Sequence, residues 1–195
     1  LFLFNLKDFF SVNLKREIKK NKLKFPIVIK PNDEGSSIGV KICKTYSSLK
    51  NKFNILKKNY DNLIFETFIP GKEIQVAVIG GKSIGAIELR PRREFYDYAA
   101  KYKKSSKTLH VMPAEISLKK YKEVLQIAKK ANKALKCRGI VRCDFRFNKD
   151  KFFLLEVNTQ PGMTSLSLVP EIAQHAKISF TKLVKWMVKD ASLNR

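Results

Sequence analysis

Three features of this 195-residue sequence predict an α+β protein built from antiparallel hairpins. Two alternating segments, Glu73–Ile79 and Ser83–Leu89, flank Gly80-Gly81, and a two-residue Gly-Gly connection between alternating runs is a strong hairpin signal. Ile140–Phe147 and Phe152–Val157 form a second such pair around Asn148–Lys151. Ser117–Leu135 places Leu118, Tyr121, Val124, Leu125, Ala128, Ala131 and Leu135 at near-helical spacing, with Lys on the other face. Strands that neighbour strands, without a helix between each pair, argue against a run of βαβ units.

The remaining elements follow in chain order. Phe9–Lys24 is Lys-rich and loosely helical, and Phe25–Lys30 (FPIVIK) reads as a buried strand ending in a lysine. Pro31–Gly39 (PNDEGSSIG) is a polar loop with two glycines, and Val40–Cys43 is a short strand. Ser47–Lys58 has helical spacing with Ser47 or Ser48 as cap. Leu63–Ile69 (LIFETFI) is strand-like until Pro70-Gly71 breaks it. Arg90–Thr108 is polar and aromatic, Asn158–Val169 is a loop containing Pro161-Gly162, and Phe180–Val188 closes the chain as a helix.

Composition narrows the function classes. Hydrophobic residues make up 44% and charged residues 29%, as in a soluble globular protein. No apolar run approaches the roughly 20 residues of a membrane span, and Leu1–Leu6 is too short for a signal-peptide core and has no basic segment before it. A chain beginning with Leu reads as a piece of something longer. The net charge is +23, from 40 basic and 17 acidic residues. Of the basic residues only eight are Arg, and the Lys are spread over the whole chain. Nucleic-acid readers favour the planar arginine fork, and no RNA-recognition, helix-turn-helix or zinc-finger signature is present. The charge therefore reads as composition, with neither nucleic acid nor membrane as partner. Three cysteines, Cys43, Cys137 and Cys143, contain no CxxC pair, so neither a disulfide framework nor a zinc site is expected, and a reducing cytoplasm fits.

The chemistry concentrates in Gly139–Ser167. Alternate residues of a strand share a face, so Arg142, Asp144 and Arg146 point one way and Val141, Cys143, Phe145 and Phe147 the other. Glu156 and Asn158 share a face of the next strand. Hard divalent ions are held by a few carboxylates, with nucleotide phosphates completing the shell. Asp144, Glu156 and Asn158 supply such a set, with Arg142 beside it for a phosphate or carboxylate. The alternative is an ordinary hairpin whose polar face meets water. Against that, a glutamate inside FFLLEVN is unusual, because carboxylates in apolar runs are normally paired. The cation reading also makes a demand on register. An odd-length connection puts Asp144 and Glu156 on one face, whereas a two-residue turn separates them unless a bulge intervenes.

Other candidates carry two readings each. Lys30 leads into a glycine loop whose backbone N–H groups suit phosphate, or which is a plain turn. Glu66 and Glu73 bind a ligand or are surface carboxylates. Lys101-Tyr102 sits in a lid over a closed site, or in an exposed loop. His110 and His175 have no acid or cysteine arrangement around them in sequence, and Trp186 reads as packing in the last helix.

In order along the chain stand IKPNDEGSSIGV, ETFIPGKE, FYDYAAKY, GIVRCDFRF and LLEVNTQPGMTSLSLVP. Together, from about Phe25 to Val188, these segments resemble the ATP-grasp part of D-alanine–D-alanine ligase. The resemblance implies an α+β ATP-grasp fold, two lobes with antiparallel sheets enclosing a nucleotide cleft. Residues 1–72 would be the central lobe, incomplete at its N-terminus, and 73–195 the C-terminal lobe with the metal and D-alanine site. It implies that Lys30 touches adenine and phosphate, Glu66 and Ile69 read the adenine edge, and Glu73 binds the ribose. Lys101 would reach the γ-phosphate, and Asp144, Glu156 and Asn158 would hold two Mg²⁺ or Mn²⁺ ions. Arg142 and the Gly162 backbone would stabilise an oxyanion, Ser167, Leu168 and Tyr102 would hold the second D-alanine, and Ser36 with Ser37 would help close the site. The implied activity is ATP-dependent joining of two D-alanines through an acyl phosphate for peptidoglycan precursors. Its partners would be ATP, D-alanine and a second copy of the chain through the N-terminal region. Four departures stand out. The family's N-terminal domain has no counterpart here, and a further phosphate-binding lysine expected well upstream of Lys30 would fall before residue 1. Ala99 stands where a charged residue is common, and Leu166 where a histidine often occurs.

Overall fold

The structure, a computed structural model, describes residues 2–5, 13–35, 37–91, 108–164 and 166–192, with the side chains of 2–5 excepted. The chain divides into two compact units between Phe68 and Ile69, just ahead of the Pro70-Gly71 break. Position 72, where the sequence suggests a boundary, begins a strand of the second unit.

The first unit is a four-stranded antiparallel sheet in the order β1-β4-β2-β3, made of β1 (Phe2–Asn5), β2 (Ile27–Pro31), β3 (Lys41–Cys43) and β4 (Asn62–Thr67). Period-two alternation splits β2 and β4 cleanly. Ile27, Ile29, Leu63 and Phe65 are fully buried against Leu14 and Ile18 of α1 (Leu14–Lys20) and Leu49, Phe53 and Leu56 of α2 (Tyr46–Leu56). Burying each such side chain contributes about 2 kcal/mol. The other face carries Val28 and Lys30 of β2 and Ile64 and Glu66 of β4, paired as Val28 with Glu66 and Lys30 with Ile64. Helix α2 is capped by Thr45, whose side-chain oxygen accepts from Ser48 N at 3.2 Å. Sequence spacing points instead to Ser47 or Ser48. Thr45 has the extended backbone a cap needs (φ −135°), and Ser48 supplies the donor.

The second unit is a five-stranded antiparallel sheet in the order β7-β6-β5-β8-β9. Its strands are β5 (Lys72–Ile79), β6 (Lys82–Arg90), β7 (Leu109–Val111), β8 (Ile140–Asn148) and β9 (Lys151–Asn158). Gly80-Gly81 turns β5 into β6 as expected, pairing Ile79 with Lys82. Both glycines have positive φ, 53° and 76°, which the primed two-residue turn requires. On one sheet face Ile74, Val76, Val78, Val141, Cys143 and Phe145 pack on Val124 and Ala128 of α3 (Leu118–Ala134). Ser117 caps that helix by accepting from Lys120 N. Two further helices, α4 (Leu168–His175) and α5 (Phe180–Asp190), complete the unit, with α4 against β5 and β6. No helix among the described residues is long and apolar enough to cross a membrane.

Candidate functional site

The β8–β9 hairpin decides whether the acidic residues meet. Asn148 pairs with Lys151, so Lys149 and Asp150 form a two-residue turn with positive φ at both positions. By parity that turn would put Asp144 and Glu156 on opposite faces. A bulge between Asp144 and Phe145 absorbs Leu155 and restores the register, so that Asp144 pairs with Glu156 and Arg142 with Asn158. All four share the face away from α3.

On that face Arg142 grips Asp144 with two parallel bonds: Nε donates to Oδ1 at 2.7 Å and Nη2 to Oδ2 at 2.9 Å. Such a fork is the strong form of the charged hydrogen bond. Arg142 Nη2 also lies 3.8 Å from Glu156 Oε1. Asn158 accepts from Gln160 N at 2.9 Å through its side-chain oxygen, which fixes the chain as it leaves β9. Glu156 is paired with Arg142, as a carboxylate inside FFLLEVN leads one to expect, but the apolar run itself is not buried. β9 is the edge strand among those described, Phe153, Leu154 and Leu155 are exposed, and the Glu156 side chain is 54% exposed. Glu156 is thus an accessible carboxylate brought into place by register.

Asp144, Glu156 and Asn158 give two carboxylates and an amide oxygen, all hard donors of the kind Mg²⁺ and Mn²⁺ prefer. No cluster of three or more His, Cys, Asp or Glu side chains suited to a metal occurs among the described residues. The donor set fits a divalent ion that takes part of its shell from a phosphate ligand. Each carboxylate has about four lone-pair sites, so the fork from Arg142 leaves Asp144 capacity for a cation.

Upstream on the same face Glu73 pairs with Arg146, whose Nη2 lies 3.5 Å from Glu73 Oε2 and whose Nη1 donates to Gly71 O at 3.2 Å. Gly71 is required there: a Cβ would lie 2.2 Å from Phe147 O, and its φ is 107°. Ile69 is half-buried just before β5. After β9 the chain turns through Gly162, where a Cβ would stand 2.9 Å from Ser167 Oγ. Ser167 is the N-cap residue of α4, yet its hydroxyl makes no cap bond. It bonds back to Thr164 N and Thr164 Oγ1, both at 2.9 Å. Leu168 opens the helix and is buried. In the first unit Lys30 Nζ donates to Glu66 Oε1 at 2.9 Å, with both side chains partly exposed. Ser36, Lys101 and Tyr102 lie outside the described residues. Ser37 is described and takes a positive φ of 63°.

Sequence spacing missed two clusters. His110 does have an acid partner: its Nδ1 is 2.7 Å from Glu171 Oε2, across 61 positions that no local pattern spans. Glu88, 3% exposed, accepts from Arg90 Nε at 2.7 Å, Lys72 Nζ at 3.0 Å and Glu115 N at 3.2 Å. Burial alone would raise its pKa, but the bonds and charges of Arg90 and Lys72 outweigh it and lower the carboxyl from its ordinary value. Arg90, which also bonds Glu115, is raised by the same contacts. On the opposite face burial, helped by the charge of Asp144, pushes the Cys143 thiol up to about 12.

A family model described as D-ala D-ala ligase C-terminus matches residues 4–189. The chain belongs to this ligase family. It is 54% identical over 185 residues to the D-alanine–D-alanine ligase of Pelagibacter ubique (strain HTCC1062), covering 95% of this chain and 60% of that protein. With the D-alanine–D-alanine ligase of Methylorubrum populi the identity is 43% over 194 residues, covering 94% and 62%. The crystal structure of the Bacillus anthracis D-alanine–D-alanine ligase complexed with ATP superposes with a TM-score of 0.79 at 27% identity, over 97% of this chain and 58% of that one. The VanG D-Ala:D-Ser ligase of Enterococcus faecalis gives 0.81 at 27% identity, over 96% and 55%. The ATP-grasp fold expected from the motifs is the fold these ligases share with the chain. The chain spans about 60% of the length of the curated ligases it matches.

Proposed function

We propose that this chain is the nucleotide- and cation-binding part of a ligase that joins two D-alanines at the expense of ATP. The observation that carries the reading is the register of β8 on β9, which sets Asp144 and Glu156 side by side with Arg142 forked onto the first. Membership of the ligase family supports it.

In this reading Lys30 serves adenine and phosphate, Glu66 and Ile69 the adenine edge, and Glu73 the ribose. Asp144, Glu156 and Asn158 would hold two Mg²⁺ or Mn²⁺ ions, which would neutralise phosphate charge. Phosphoryl transfer asks the protein mainly for position and charge. One D-alanine carboxylate attacks the γ-phosphorus, releasing ADP and leaving an acyl phosphate. The amine of a second D-alanine then attacks the acyl carbon, and phosphate leaves. In this reading Arg142, its guanidinium held by Asp144, donates to the developing oxyanion together with the Gly162 backbone. Ser167 and Leu168 take the carboxylate of the second D-alanine at the start of α4, where first-turn N–H groups favour an anion. Lys101 on the γ-phosphate, Tyr102 on the acceptor and Ser36 in closing the site belong to the same proposal, as do a cytoplasmic setting and pairing with a second copy.

The test is phosphate release from Mg·ATP by the protein with single amino acids. D-alanine should be the productive donor and acceptor, with dipeptide formed in step with phosphate. Release driven equally by another acceptor would redirect the reading to a different carboxylate–amine ligase.

A further inference from the structure

One polar side chain on the cation-bearing face has no role in the reading above. Gln75 lies at the centre of β5, pairs with Asp144 on β8, and so continues the row Gln75, Asp144, Glu156 across three strands. Directly opposed residues of neighbouring strands carry their Cβ atoms about 4.5–5.5 Å apart on one face. Ile74 and Val76 on either side point into the core against α3, so Gln75 projects to the same side as Asp144. It is 1% exposed, and its side-chain oxygen is buried with no hydrogen-bond partner among the described residues. Its partner on β6 is Ile87, which offers no donor from its side chain. The flanking arginines are directed elsewhere, Arg142 to Asp144 and Arg146 to Glu73 and Gly71.

A buried amide oxygen in that condition destabilises the fold, and an apolar residue of equal length would not. Its position beside Asp144 gives it a use. Mg²⁺ sheds water reluctantly and keeps several molecules in its shell, and each of those waters needs an acceptor for its outward hydrogens. We propose that Gln75 is a positioning residue of the cation site, its amide oxygen accepting a hydrogen bond from the hydration shell of the ion held by Asp144 and Glu156. A neutral amide does this without adding a third negative charge to a row that must also admit a triphosphate. The inference rests on the cation reading of the preceding section, and outer-shell partners of this kind commonly set metal affinity by 10- to 100-fold.

The experiment is a Mn²⁺ titration followed by electron paramagnetic resonance, with a non-hydrolysable ATP analogue present, on the full chain and its variants. Gln75→Met removes the amide at nearly constant length. It should weaken Mn²⁺ binding about tenfold while thermal stability stays level or rises, a split that a purely structural glutamine would not give. Mn²⁺ affinity within twofold of wild type would overturn the proposal. Should Gln75→Met not fold, Gln75→Asn, which retracts the amide by one methylene, is held to the same criterion. Glu156→Gln separates the two readings. If it weakens Mn²⁺ binding while Gln75→Met does not, only the role of Gln75 falls. If Glu156→Gln also binds as wild type does, the cation reading falls and Gln75 falls with it.

Discussion

One sheet carries two carboxylate-centred clusters with opposite characters. Glu88 is almost wholly buried and accepts from Lys72, Arg90 and the Glu115 backbone, so both of its oxygens are bonded within the protein. Asp144 and Glu156, two and three strands away, share one arginine, expose one carboxylate and stand beside a buried amide oxygen with no partner among the described residues. The closed cluster ties the start of β5 to the end of β6 and to the segment before α3. The open one retains capacity for something brought from outside. Where a sheet satisfies its charges internally they serve the fold, and where it leaves them incomplete they are available for chemistry.

Substitutions should separate the two clusters. The largest effect belongs to the open one: Arg142→Met should lower kcat by roughly 10²–10³-fold, the usual loss for one oxyanion donor, while steady-state kinetics show a smaller change in the KM for ATP. Glu88→Gln should act on stability, costing about 2 kcal/mol as two cations lose their charged acceptor, read as a fall of several degrees in Tm. ATP binding should persist in Glu88→Gln, and its loss would erase the contrast. The pH dependence of unfolding sharpens it further. Because the folded Glu88 carboxyl is lowered from 4.5, its stabilisation is present above that ordinary value and is lost as pH falls through the folded one. Denaturant midpoints should therefore decline on the acid side in wild type and less steeply in Glu88→Gln. The smallest expected effect is on Cys143. Buried, with its thiol pushed up to about 12, it should resist iodoacetamide at pH 8 in the folded protein, as mass spectrometry would show.

Local signals were enough for the hairpins. Gly80-Gly81 turns where its conformational freedom says it should, and strand parity makes a bulge the condition on which a two-residue turn brings Asp144 and Glu156 together. What depended on distant partners was hidden. β1 exists by pairing with β4 some sixty positions later, and Phe2–Asn5 alone is only a short apolar string. Helix α4 has no element of its own in the sequence reading: the loop read over Asn158–Val169 overlaps its first two residues, and Pro170 in its first turn, where proline is tolerated, reads as a breaker. Of the site, the residue types on β8 and β9 were legible through period two. Gln75 was not, because a glutamine in an alternating strand looks like any polar residue until its partner strand is known. The same holds for His110 with Glu171.

The most direct test of the cation-centred site is isothermal titration of ATP into wild type and Glu156→Ala, each with Mg²⁺ and with chelator. The proposed arrangement predicts that wild type binds ATP tightly only with Mg²⁺ and that Glu156→Ala loses this Mg²⁺-dependent increment. Equal affinity in the two proteins with Mg²⁺ present would contradict it.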